Sequence, residues 1–204
     1  MVDLGLDDAF EKAWDDIGHL DVHETCRLAA VPPPDTKGHV WVPLLGENFA
    51  VDLEGQRVLL GGTEPARPDK ALIVLHYLIG AMSIEPSGKL ISFRELQGGD
   101  VYWKAYEGRS ISRIQDFFGE RPEALHEAVK GMRAKRAPMG DVGYVIEALP
   151  KVPVTVAVWR ADDELPASAN VLWDETVRYY FQTEDVAVLA GMVAGELIKR
   201  SPLD

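Results

Sequence analysis

A single cysteine, Cys26, stands among 204 residues. One thiol excludes an internal disulfide, and it excludes an all-cysteine iron–sulfur cluster ligated by this chain alone. Positive charge is scarce as well: 21 Lys and Arg face 33 Asp and Glu, for a formal net charge of −12. That field repels a phosphate backbone, so nucleic acid is not an expected partner. The one basic run, KGMRAKR at 130–136, falls where a helix starting near Pro122 would end, and cations there complement the helix dipole. A patch docking an anion or a partner is the alternative. No apolar run approaches the roughly 20 residues of a membrane helix. The opening MVDLGLDDAFEKAWDD is acidic and amphipathic, unlike a signal peptide. A soluble cytoplasmic protein without membrane contact is expected.

Common catalytic and cofactor signatures are missing too. Gly88-Lys89 resembles the tail of a phosphate loop, but the preceding glycine is Gly80 and the next residue is Leu90. Neither the phosphate cradle nor the Mg²⁺ hydroxyl is supplied at that spacing. There is no G-x-G-x-x-G, G-x-S-x-G, H-E-x-x-H or paired C-x-x-C. Asp162, Asp163 and Glu164 lack the loop pattern that gives Ca²⁺ about six or more oxygens, and they read as a solvated turn.

Apolar residues, 47% of the chain, suffice for a sizeable core. We expect one folded unit over 1–204, with an N-terminal helical segment, 1–30, joined by the Pro-rich connector VPPPD at 31–35. In that segment residues 6–28 read as one helix, because Leu6, Phe10, Ala13, Trp14, Ile17, Leu20 and Leu28 share an apolar stripe. HVWVPLL, FAVDL and QRVLL, between 39 and 60, read as an antiparallel meander. Pro68 and the Pro86/Gly88 pair bound a helix over about 69–82. Ser92 and Glu95 have capping-box spacing. VYWKAYEG, SISRIQDFFG and PEALHEAVKGMRAK follow as helical pieces. VPVTVAVW at 152–159 alternates like a strand with two chemically different faces, ANVLWD at 169–174 is its partner, and TED at 183–185 caps a last helix to about Arg200. The fold class is α+β: a mainly antiparallel sheet from the meander (about 39–60) and a C-terminal hairpin (about 152–174), packed with several helices.

Two constellations point towards chemistry. In HLDVHETC, His19, His23 and Cys26 are spaced i, i+4 and i+7, opposite the apolar stripe of a continuous helix. They are candidate ligands for a soft transition metal, or members of a solvated face. In LIVLHYLIG, 72–80, His76 interrupts a helix apolar on every side, which places it inside, next to Tyr77. It is either a satisfied core histidine or a ligand to a metallocofactor in an apolar pocket, haem or corrinoid being the candidates. Tyr102, Trp103, Tyr106, Phe117, Phe118, Trp159 and Trp173 read as core or as a cofactor wall. Arg94, Lys104 and Arg109 are placed to meet the carboxylates of a large planar ligand. The candidate cofactor-binding set is His76, Tyr77, Arg94, Trp103, Arg109 and Trp159.

LHYL (75–78), ISFREL (91–96), LPKVPVTVAVWRADDELPASANVLWD (149–174) and TEDV (183–186) resemble stretches of an uncharacterised domain-of-unknown-function family of anaerobic bacteria and archaea, across roughly 40–200. Some members of that family carry an iron–sulfur module like that of corrinoid iron–sulfur proteins, a feature that Cys26 alone cannot reproduce. The resemblance implies anaerobic redox or one-carbon metabolism as a setting and carries over no site residue. Three readings follow. The first is a binding module for a small molecule or metallocofactor, presented to a redox or corrinoid protein partner. The second is an accessory domain whose acidic surface docks a partner without any ligand site. The third is an enzyme using His76, Tyr77, Glu95 and Arg94 as acid/base groups.

Overall fold

Leu45 and Gly46, with φ of 51° and 82°, form the two-residue turn that folds strand β1 (His39–Leu44) back onto β2 (Glu47–Asp52). Paired left-handed residues match the twist of such a hairpin. β3 (Arg57–Leu60) and β4 (Glu64–Pro65) continue the meander into a four-stranded sheet of order β1-β2-β3-β4. The computed structural model describes residues 4–201, so the first three residues of the expected N-terminal segment lie outside it.

A second sheet takes the C-terminal hairpin as its middle. It comprises β5 (Leu90–Ile91), β6 (Ala134–Arg136), β7 (Val142–Leu149), β8 (Val152–Trp159) and β9 (Ser168–Asp174), in the order β5-β9-β8-β7-β6. Every pairing is antiparallel, and the acidic 160–167 loop joins β8 to β9. In that loop Asp162 accepts the N–H groups of Glu164 and Leu165, closing the expected turn. The α+β class and the antiparallel pairing are what the patterning indicated. One continuous cluster of buried side chains draws on both sheets and on the helices between them.

Four expectations are corrected. Residues 6–28 form two helices, α1 (Leu4–Gly18) and α2 (Val22–Leu28), because Asp21 caps the second by accepting the N–H groups of His23 and Glu24. The helical segment from Pro122 is brief. After α4 (Gly99–Arg109) and α5 (Ile111–Phe118), α6 covers only Ala124–Ala128; Gly131, at φ 78°, then turns the chain and KGMRAKR ends in edge strand β6. Of its cations only Lys130 follows the end of that helix directly; Arg133, Lys135 and Arg136 lie beyond it. β7, not anticipated at all, pairs with β8 along almost its whole length. The meander and the C-terminal hairpin, expected in one sheet, belong to two, and β8 is buried on both faces from Val154 to Val158.

Helix α3 (Pro68–Ile79) begins at a proline whose fixed φ suits a first turn. It stops at Gly80, where a Cβ would stand 2.3 Å from the Tyr180 carbonyl oxygen. Only a glycine lets the end of α3 approach the short α7 (Val177–Tyr180) so closely. α7 leads directly into α8 (Thr183–Arg200), which buries Val186, Leu189, Val193 and Leu197. This junction brings the C-terminal end of α3 and the N-terminal end of α8 together.

Candidate ligand cleft at His76

Six positions of α3, Ala71, Ile73, Val74, Leu75, Tyr77 and Leu78, are buried against the core, while Leu72, His76 and Ile79 lie on its less covered side. His76 is therefore not inside, as the all-round apolar pattern suggested: its side chain keeps 29% of its exposure. The helix is covered incompletely because α1 packs beside it and leaves a cleft towards α7 and α8. Lys12 and Asp16 of α1, His76, Arg178 and Tyr179 of α7, and Gln182 border this cleft of about 410 Å³.

His76 Nδ1 lies 2.8 Å from Asp185 Oδ1. An ionised carboxylate can only accept, so Nδ1 donates and the neutral ring keeps its lone pair on Nε2. Asp185 sits in the first turn of α8, and its Oδ2 accepts the Gln182 N–H at 3.3 Å, forming a capping box. One carboxylate thus closes the start of α8 and orients the imidazole. Nε2 has no hydrogen-bond partner among the described residues. An imidazole held through one nitrogen, with the other open to a cleft, is arranged to ligate a metal or to accept a proton.

The other candidate residues do not join His76. Tyr77 points the opposite way, into the core; its hydroxyl donates to the Ala29 carbonyl at 2.7 Å and accepts the Lys151 N–H at 3.2 Å. Burial pushes its phenol up, and its ring stacks on Tyr180. Arg94 lays its guanidinium 4.3 Å over the Trp103 ring, and Trp103 packs on Tyr106. The buried Tyr106 hydroxyl accepts the Trp173 indole N–H and donates to the Val171 carbonyl, so this aromatic group serves the core. Glu95 accepts the Ser92 N–H at 2.7 Å in the expected capping box. Trp159 ends β8 opposite Ser168. Arg109 lines a different cleft.

The break between α1 and α2 separates His19 from His23 and Cys26. His19 lies in the connecting turn, its Nδ1 2.7 Å from the Asp15 carbonyl oxygen, and His23 is exposed on α2. Cys26 is 1% exposed, and burial raises its thiol above the usual range. The common face assigned to the three required an unbroken helix. Among the described residues no group of three or more His, Cys, Asp or Glu side chains is arranged to hold a metal ion.

Residues 21–196 match the family model described as a domain of unknown function, DUF3786. The chain belongs to this family. No curated protein and no solved structure matches it. Within this DUF3786 domain, no helix of the described residues is long and apolar enough to cross a membrane. Asp185 is the site residue that sequence reasoning missed, because TED reads only as a helix cap. Its partner His76 lies 109 positions away. The available signal was that LHYL and TEDV both belong to the stretches carrying the family resemblance.

Proposed function

We propose that this DUF3786 domain is a binding module whose His76 Nε2 engages a small molecule, with a metallocofactor of the haem or corrinoid type as the class tested first. The observation that carries the reading is the His76–Asp185 hydrogen bond at 2.8 Å, set in a cleft that leaves the far nitrogen of the ring open. A carboxylate behind an imidazole fixes its tautomer and raises its strength as a ligand. The cleft volume, about 410 Å³, lies within the usual range of ligand sites, about 300–1,000 Å³. Lys12 and Arg178 at its border provide cations for the acidic substituents such cofactors carry. A metallocofactor bound there would bring redox or group-transfer chemistry, in keeping with the anaerobic one-carbon or redox setting that the resemblance implies. His76 Nε2, oriented by Asp185, would be the protein group that holds it.

The test is an absorption titration of the protein, purified without oxygen, with haem and with cobalamin separately. Band shifts are expected for the wild type and for His19→Ala, and none for His76→Ala. Asp185→Asn should bind about 10–100-fold more weakly, the usual cost of losing the carboxylate behind a ligating imidazole. Unchanged spectra with both cofactors, or a shift that survives in His76→Ala, would refute the proposal.

The enzyme reading retains one specific observation. The same His–Asp geometry would let Nε2 act as a general base towards a small substrate. Of its four named groups, however, only His76 borders the cleft.

A further inference from the structure

A larger cleft, of about 790 Å³, runs beside the C-terminal half of α8 and is independent of the His76 site. Its floor is bare helix at Gly191 and Gly195, and Arg109 and Arg113 lie across it. A Cβ on Gly195 would stand 3.8 Å from both terminal nitrogens of Arg113, and one on Gly191 would stand 3.7 Å from the Arg109 Cβ. The two arginines are four positions apart, one ending α4 and the other in α5.

The carboxylates deep in the cleft are already matched. Lys70, whose side chain is 12% exposed, pairs with Glu47 and lies 3.7 Å from Glu196. Glu196, at 6%, also receives Arg200 at 2.8 Å and has Lys199 at 3.8 Å. Asp69 is held by Arg67 at 2.7 Å. Glu64, on exposed β4, is the remaining carboxylate of the lining. Arg109 and Arg113 have no carboxylate partner among the described residues. In a chain of net charge −12, two arginines bordering one cleft without counter-ions are a local reversal of the general field. Their planar forks of N–H donors match the oxygens of phosphates and carboxylates.

We propose that this cleft is a binding site for a small polyanion, clamped between Arg109 and Arg113 above the glycine floor. Phosphoryl and polycarboxylate ligands share the required chemistry. Pyrophosphate and citrate serve as probes, each titrated calorimetrically at fixed ionic strength into the wild type, Arg109→Gln, Arg113→Gln, the double variant and His76→Ala. Both arginines are exposed, so the variants keep the core.

Saturable binding of at least one probe is expected. It should weaken about tenfold for each single replacement, the fold-change equivalent to losing about 1.4 kcal/mol, and vanish in the double variant. Binding to His76→Ala should equal that of the wild type. Preference for pyrophosphate would identify a phosphorylated ligand class, and preference for citrate a polycarboxylate. Absence of saturable binding by either probe, undiminished binding in the double variant, or loss of binding in His76→Ala would overturn the assignment. Since the cofactor titration reads only His76, the two proposals stand or fall separately.

Discussion

Asp174 should be among the most costly polar side chains to remove. It ends β9 with the residue 2% exposed. Its Oδ1 accepts the N–H of Ser87 at 3.1 Å, the N–H of Thr176 at 3.0 Å, and the hydroxyls of Thr176 at 2.7 Å and Ser87 at 3.3 Å. Its Oδ2 accepts the Gly88 N–H at 2.6 Å. These donors are not equivalent. Ser87 and Gly88 lie in an exposed loop, where water can replace the carboxylate, but Thr176 is 4% exposed. In Asp174→Ala the Thr176 donors stay buried without an acceptor, and stranded groups of that kind cost about 1–3 kcal/mol each. Adding the weaker loop contacts, we expect a loss of about 2–4 kcal/mol, which is a large part of the net stability of a domain.

The pH dependence of the same group has a definite sign. Burial disfavours the Asp174 carboxylate, but the bonds from Thr176, Ser87 and Gly88 outweigh that, and its pKa lies below the ordinary value. Its contribution is complete above the unfolded-state pKa of about 3.9 and is lost as pH falls through the lower folded-state value. Urea denaturation of the wild type, Asp174→Ala and Asp174→Asn at neutral pH and on the acid limb would measure both effects. The variants should show lower midpoints at an unchanged m-value, and Asp174→Asn a shallower acid limb. A neutral-pH loss under about 0.5 kcal/mol for Asp174→Ala, the range of ordinary surface substitutions, would refute the reasoning.

Tyr106→Phe keeps the ring stacked on Phe93 at 4.0 Å but strands the Trp173 indole N–H, now 3.0 Å from the hydroxyl. Thermal unfolding should show a loss of about 1–3 kcal/mol, and an unchanged midpoint would contradict the buried pair. Cys26, buried and with its thiol raised, should not react with an aromatic disulfide reagent near neutral pH until denaturant is added. Rapid labelling of the native protein would show that the Cys26 face of α2 is not packed into the core.

Elements whose signals are local were legible in the residues. Pro68 located the start of α3 to within a residue, and alternation with tight turns outlined β1 to β3. Ser92 and Glu95 formed the capping box that their spacing implied. β7 escaped because both its faces are largely covered and its register shifts between Glu147 and Leu149, which together erase the period of two. The N-terminal helix was drawn too long because its apolar stripe continues past Gly18, where Asp21 restarts the backbone. Tyr77 and Trp103, candidates with His76 for a cofactor site, do not share its cleft: one binds core carbonyl and amide groups and the other packs on Tyr106.

By itself the sequence determined the α+β class, the ranges of β1, β8, β9 and α8 and the strong acidic balance, because periodicity, proline, glycine and charge act over a few residues or over the whole chain at once. Tertiary structure decided which polar groups meet. It set Asp185 behind His76 across 109 positions, buried Cys26 while His19 and His23 stay exposed, and left Arg109 and Arg113 without carboxylates beside α8. Those outcomes depend on how the ends of separate helices approach one another, and no local spacing encodes that approach.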